Sequence, residues 1–284
     1  MTFSTRFAPS PTGPLHLGHA YSAMLAHDMA RAADGMFYLR FDDLDRARRR
    51  AAWEARIEED LHWLGLTWPQ PVWRQSDRLN RYRDALKVLW DQGLVYPCSC
   101  SRADIRAAVA APQEGAPVQG PDGIVYPGTC RPGTPARGQM PDGVLRLDMR
   151  RALARLGAAP EFTETGTGPD GETGIIRAAD MVTRVGDVVL ARRDMGAAYH
   201  LAIVVDDADQ GITHVIRGQD LFAATLIHVV LHRLLGLPSP VYRHHRLIRD
   251  AAGRRLAKRD DARAIATYRA DGYAPGDIRR LVGL

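Results

Sequence analysis

Arg6-Phe7-Ala8-Pro9-Ser10-Pro11-Thr12-Gly13-Pro14-Leu15-His16-Leu17-Gly18-His19 decides how the chain folds. A short extended run, Thr5 to Ala8, is broken by prolines and a glycine, and an apolar periodicity then begins at Leu15 and continues past Met24. The pattern predicts a strand, a tight loop and a helix start. At the carboxyl end of a strand in an open α/β sheet, a helix N-terminus presents unpaired N–H groups and a partial positive charge, a setting that suits phosphates. Gly13 and Gly18 carry no Cβ, so a purine or phosphate can come close to the backbone. His16 and His19 stand three residues apart on one face of the first helical turn, and both can donate to a polyphosphate. Taken alone, the pair also suits an ordinary solvated helix start.

Outward from this stretch, the helix from Leu15 to about Ala33 is expected to stop at Asp34-Gly35. Met36 to Phe41 has the character of a buried strand. Asp42-Asp43-Leu44-Asp45 follows at its carboxyl end, where carboxylates face the ligand crevice and suit a substrate ammonium, although helix-capping acids would look the same. Two amphipathic helices come next, one with Ile57, Leu61 and Leu64 on its face, the other with Tyr82, Leu86 and Leu89 and a stop at Gly93. Composition shifts between Tyr96 and about Arg184. Cys98-Ser99-Cys100, a Gly/Pro-rich loop and Tyr126-Pro127-Gly128-Thr129-Cys130 contain all three cysteines of the chain. An odd count argues against a disulfide framework and leaves two readings, a zinc clamp or reduced structural thiols. Beyond it, Val144 to Met149 and Asp180 to Leu190 look like strands around a polar, glycine-rich Gly166 to Gly174.

In the last third, Tyr199 to Asp207 is expected as a strand with a charged end, Gly211 to Gly218 as another, and Leu221 to Leu235 as a helix. Arg217 at a strand end and Arg6 on the first strand are cations able to take a carboxylate in a bidentate pair. His228 and His232 lie one turn apart with no accompanying carboxylate motif and are expected to pack rather than bind metal. Arg255-Leu256-Ala257-Lys258-Arg259 forms a basic loop, followed by a short helix from Arg263 to Arg269 and a Tyr-Ala-Pro-Gly loop.

His16-Leu17-Gly18-His19 resembles the HIGH signature of class I aminoacyl-tRNA synthetases, and the eight residues from Arg6 to Gly13 resemble the glutamyl branch. Arg255 to Arg259 resembles the second signature, KMSKS, with Arg255 for its first lysine and Ala257 for its serine. Nearly the whole chain is similar to the glutamyl-Q tRNA(Asp) synthetases. The resemblance implies ATP, with Mg2+, bound at Pro9, Gly13, His16, Gly18, His19, Leu256 and Lys258, and catalysis by His16, His19 and Lys258. It implies L-glutamate bound at Arg6, Ala8, Ser10, Asp42, Tyr199 and Arg217. Asp42 is one methylene shorter than the family's glutamate, with Asp43 beside it, and Ile203 stands where discriminating glutamyl enzymes commonly have asparagine. It further implies one structural zinc held by Cys98, Cys100, Tyr126 and Cys130.

The fold expected is α/β: a doubly wound parallel sheet (1–96 and 185–245) split by an inserted zinc-binding α/β subdomain (97–184), with a short α-helical C-terminal piece (246–284). The implied reaction makes glutamyl-adenylate and transfers glutamate to queuosine at the anticodon wobble position of tRNA(Asp). That acceptor is favoured because the chain ends without the large helical anticodon-reading region of glutamyl-tRNA synthetases. The alternatives are a truncated synthetase charging tRNA(Glu), and a tRNA- or amino-acid-binding module without catalysis. A net charge of +5 and a pI near 9.3 are compatible with a polyanionic partner. No apolar run reaches the ~18 residues of a membrane span, so a soluble, cytoplasmic, monomeric protein is expected.

Overall fold

The computed structural model of the chain describes residues 2–110, 118–249 and 263–284. It begins β1 (Ser4–Phe7), α1 (Leu17–Ala32), β2 (Met36–Phe41), α2 (Ala51–Trp63), β3 (Trp73–Arg74) and α3 (Leu79–Asp91). The middle comprises β4 (Val95–Pro97), α4 (Arg102–Ala110), β5 (Gln119–Gly120), β6 (Gly123–Ile124), β7 (Leu145–Leu147), α5 (Met149–Leu156), β8 (Glu161–Glu164), β9 (Gly174–Arg177), α6 (Met181–Arg184) and β10 (Val189–Ala191). It ends with α7 (Tyr199–Asp209), β11 (His214–Gly218), α8 (Thr225–Leu234), β12 (Val241–His245), α9 (Ile265–Ala270) and α10 (Pro275–Val282).

The α1-to-β2 turn depends on its dipeptide. Asp34 takes a left-handed φ of 46°, and a Cβ on Gly35 would lie 2.3 Å from the Phe3 carbonyl oxygen. Glycine therefore lets β2 start directly beside β1. β1, β2 and β3 pair in parallel, with Ser4 opposite Met36 and Arg40 opposite Trp73. β11, β12 and β8 also pair in parallel, and β9 closes that edge antiparallel. Thr213 stitches the two groups together: its N–H donates to Ser4 O at 3.0 Å, and its hydroxyl accepts from Ser4 N at 2.9 Å. Together they make a largely parallel α/β sheet. Val215 and Ile216, neighbours on β11, enter different hydrophobic cores, as opposite faces of a strand require. α1, α2 and α10 pack in the core that receives Ile216, whereas α3, α7 and α8 share another.

Between the two halves, β10, β7 and β4 form a separate antiparallel sheet, and β5–β6 is a small hairpin. β8 and β9 come from the same stretch yet extend the main sheet. The middle of the chain is therefore tied into the nucleotide fold.

Three local expectations are corrected. Tyr199 to Asp207 is helix, not strand. All eight residues from His200 to Asp207 are buried, and a run of leucine, isoleucine and valine buried on every side has no polar face to reveal its period. Asp180 to Leu190 is the short helix α6 followed by β10, with Gly186 at φ 69° separating them. The Tyr-Ala-Pro-Gly segment starts a helix: Pro275 occupies its first turn, and Asp277 accepts from the Ala274 N–H at 2.7 Å. Among the described residues no helix is long and apolar enough to cross a membrane.

α10 packs on α1, where Ile278 is fully buried and Arg279 pairs with Asp28 at 2.6 Å. Ile278→Ala is expected to cost about 2–4 kcal/mol by urea denaturation, and Arg279→Ala less than about 1 kcal/mol because that pair is solvated.

Candidate active site

The carboxyl ends of β1, β2, β11 and β12 open onto one cavity of about 530 Å³, the place where ligands bind in open α/β sheets. Its wall includes Arg6, Ala8, Pro9, Ser10, His16, Gly18, His19, Asp42, Tyr199, Ile203 and Arg217. Residues expected from distant parts of the sequence thus converge. Gly13 is buried in its loop and does not line the cavity. Leu256 and Lys258, with the rest of the basic Arg255–Arg259 segment, lie outside the described residues.

His16 and His19 cap α1 for each other. His16 Nδ1 accepts from Gly18 N at 3.1 Å, and His19 Nδ1 accepts from His16 N at 3.2 Å. The arrangement is a capping box made with imidazoles. Because both Nδ1 atoms accept, the ring proton of each neutral imidazole sits on Nε2, which makes Nε2 the donor. Gly18 lies so close that a Cβ would stand 3.0 Å from the His16 ring.

Behind the cavity lies a buried ion cluster. Arg6 meets Asp207 through Nε and Nη2 at 2.9 and 3.0 Å, so its bidentate edge faces Asp207 and not a ligand. Arg40, fully buried, reaches Asp207 at 2.8 Å and Asp42 at 3.1 Å. Asp206 accepts from Gln75, Arg78 and Tyr82 at 2.7–3.1 Å. Burial raises the Asp207 carboxyl, but Arg6 and Arg40 outweigh it and hold it down at about 2. At Asp42 burial dominates over Arg40, and neighbouring Asp206 adds to it, lifting the carboxyl to about 6. Asp43 turns elsewhere: it accepts from Ser76 N and Oγ at 2.8 and 2.7 Å and pairs with Arg49.

Arg217 is the exception among the buried arginines of the cavity. It is 5% exposed, and among the described residues no carboxylate pairs with it. Nε donates to His244 Nε2, Nη1 meets His228 Nδ1, and Nη2 donates to Leu221 O and Thr225 Oγ1, all at 2.7–3.3 Å. Of its five N–H groups four have partners, which leaves one on Nη1 and an unneutralised charge. His228 and His232 are buried, and His228 serves as the support just described.

Asp45, read from the sequence as one of the acids after β2, lines the cavity, and so do Arg48, Asp220, His245 and Arg246, which were not singled out. For Asp220, His245 and Arg246 the signal was position: each is the last residue of a cavity-forming strand or follows its end within two residues.

Away from this cavity, the Sγ atoms of Cys98, Cys100 and Cys130 all lie within 4.8 Å of one another. The Tyr126 hydroxyl sits among them, 3.5 Å from Cys98 Sγ and 3.4 Å from Cys100 Sγ. Its hydrogen bond is the largest influence on Cys130, whose thiol is lowered to about 6 despite partial burial. Cys100 and Cys130 sulfurs are 3.4 Å apart, near the roughly 3.8 Å of two thiolates on one tetrahedral zinc. Three thiols and a phenol converging this closely form a set able to hold a soft metal ion.

Residues 2–119 and 172–284 match the family of class I tRNA synthetase catalytic domains of the E and Q type. The chain is 64% identical to the glutamyl-Q tRNA(Asp) synthetase of Rhodobacter capsulatus over 99% of both chains. The chain belongs to the glutamyl-Q tRNA(Asp) synthetase family. A second member, from Deinococcus radiodurans, is 42% identical over 98% of this chain and 87% of its own. A solved glutamate tRNA ligase from Elizabethkingia meningosepticum superimposes with a TM-score of 0.73 at 25% identity, and this chain spans 60% of its length. A methionyl-tRNA synthetase from Mycobacterium tuberculosis, TM-score 0.55 at 13% identity, shares the fold alone.

The Asp42 shift has a thermodynamic consequence. Its carboxyl sits near 6 in the folded enzyme, above the unfolded value of about 3.9, so the native state holds that proton more tightly. Ionising it costs stability as pH rises from about 4 through 6. Asp42→Asn is therefore expected to raise the unfolding free energy by about 1–3 kcal/mol at pH 7.5, the gain vanishing near pH 4, in denaturation curves across pH.

Proposed function

We propose that this chain activates L-glutamate with ATP and transfers the glutamyl group to queuosine at the wobble position of tRNA(Asp). The observation that carries the reading is the charge pattern of the cavity. An uncompensated guanidinium, Arg217, and a carboxylate, Asp42, face a space that the two capping histidines also line. A zwitterion with a second carboxylate complements this pattern: its ammonium at Asp42, its side-chain carboxylate at Arg217. The 64% identity to the Rhodobacter capsulatus enzyme supports the choice of acceptor.

In the first step a carboxylate oxygen of glutamate attacks the α-phosphorus of ATP in line. The new P–O bond forms as the bond to the β-phosphate bridging oxygen breaks, and pyrophosphate leaves with its magnesium. His16 and His19 donate from Nε2 to the phosphate oxygens as charge shifts, and Lys258 serves the same purpose from the KMSKS-like loop. In the second step a hydroxyl of the queuosine ring attacks the adenylate carbonyl, an ester forms, AMP departs, and the hydroxyl proton passes to solvent. No covalent enzyme intermediate is involved; catalysis is positioning and electrostatics. Cys98, Cys100, Tyr126 and Cys130 would hold a zinc ion, which would serve a structural role in this part of the chain. The protein acts as a cytoplasmic monomer.

Labelled glutamate is expected to pass to queuosine-containing tRNA(Asp), but not to tRNA(Asp) lacking queuosine or to tRNA(Glu). Labelling of tRNA(Glu) would make the chain a minimal glutamyl-tRNA synthetase. Lys258→Ala is expected to slow glutamate-dependent ATP–pyrophosphate exchange by on the order of 10²–10³, and absence of exchange in wild type would leave a binding module. Stripping the metal with a chelator is expected to lower the melting temperature and release close to one zinc per chain by elemental analysis.

A further inference from the structure

Arg217 needs support that does not cancel its charge, and the structure supplies that support in an unusual way. A carboxylate in direct contact would neutralise it, as Asp207 does Arg6. Instead its neighbours are histidines, and each histidine is backed by an acid from the middle of the chain. His244 Nε2 accepts from Arg217 Nε at 3.2 Å, so its proton sits on Nδ1, which meets Glu164 Oε2 at 2.5 Å. Glu164, on β8, is itself fixed by the N–H groups of His244 and Gly166 at 2.9 and 2.7 Å. On the other side His228 Nδ1 faces Arg217 Nη1 at 3.2 Å, which places its proton on Nε2, 3.1 Å from His200 Nδ1. His200 then carries its own proton on Nε2 toward Asp122 Oδ1, 3.6 Å away. Every tautomer follows from the one before it.

We propose that Glu164–His244 and Asp122–His200–His228 are two relays that position Arg217 for the substrate's side-chain carboxylate, making the middle segment part of amino-acid recognition. The inference rests on the reading of Arg217 given above. Burial keeps both supporting histidines neutral, with His228 held well below its ordinary value and His244 lowered. The two acids therefore stay at a distance from Arg217, where they orient it without quenching it. They sit at two separate places: Glu164 on β8, between β12 and β9 of the main sheet, and Asp122 in the turn of the β5–β6 hairpin. Asp122 is 43% exposed and also lines a second cavity of about 730 Å³ that reaches Cys100 and Tyr126. These are positioning residues, since of this set only Arg217 lines the cavity.

Glutamate-dependent ATP–pyrophosphate exchange on the full chain tests this, with wild type, Glu164→Gln and Asp122→Asn compared. Each variant is expected to raise KM for glutamate about five- to tenfold, while KM for ATP stays within twofold and the melting temperature of Asp122→Asn matches wild type. The proposal is overturned if either variant leaves KM for glutamate within twofold of wild type. It is also overturned if both KM values rise together, the mark of a merely structural role. Should Glu164→Gln fail to fold, Asp122→Asn decides alone, because an exposed hairpin turn does not carry the core. Loss of exchange in wild type would reject the glutamate reading itself, and this inference with it.

Discussion

The salt-bridged core made by Arg6, Arg40, Asp206 and Asp207 is the constraint on which the rest of the molecule depends. Arg6 and Arg40 arrive from β1 and β2, while the two aspartates arrive from α7, roughly two hundred and one hundred and seventy positions later. A buried ion pair is a poor source of stability, because desolvation offsets the attraction; breaking one after it has formed is expensive. The cluster therefore acts as a registration device. The two halves of the nucleotide fold meet productively only when α7 presents Asp206 and Asp207 to the ends of β1 and β2. Asp42, paired with Arg40 at the rim of the cluster, and Arg217, outside it, both line the cavity.

The sequence announced the strands and helix that build the phosphate-side of the cavity, because strand, proline-broken loop and helix start follow one another within twenty residues. β2 and α1 fall almost where periodicity placed them, and the first-half acid Asp42 does face the crevice. α7 was illegible for a physical reason. A helix enclosed by α3, α8 and β10 is apolar all round, so neither a period of 3.6 nor one of 2 emerges. The mistake also hid the ion cluster: adjacent Asp206 and Asp207 would point to opposite faces of a strand, whereas on a helix both turn inward. α10 was missed because Pro275-Gly276 looks like a turn until the Asp277 cap is considered. Of the residues proposed for ATP and glutamate, the geometry gathers those from β1, α1, β2, α7 and β11, and leaves Gly13 behind the wall. No pattern in the sequence could disclose that Arg217 would be propped by histidines, since that depends on three-dimensional neighbours.

The middle segment is held by a second hub. Asp187 accepts from Tyr96 OH at 2.5 Å, Arg131 Nε at 2.7 Å and Met149 N at 2.9 Å, joining β4, the cysteine loop and α5 just before β10. Arg146 stacks over the Tyr126 ring at 3.9 Å and donates to the Asp187 carbonyl at 2.8 Å. Tyr126 thus offers its hydroxyl to the thiols and its face to a cation. A phenol so placed can take part in the thiol cluster without losing its packing role.

On the proposed mechanism, the cap at the start of α1 binds two tasks into the same two side chains. Imidazole Nδ1 of His16 and of His19 closes the helix, and the ring proton stays on the opposite nitrogen, the atom that the proposed mechanism uses as donor. Alanine at either position would remove a helix cap, a change worth about 1 kcal/mol, along with any catalytic donor. Asparagine would separate the duties, since its side-chain oxygen can still receive the backbone N–H while its amide is too short to replace Nε2. A substitution at either histidine would then act twice, once on the helix end and once on the proposed reaction.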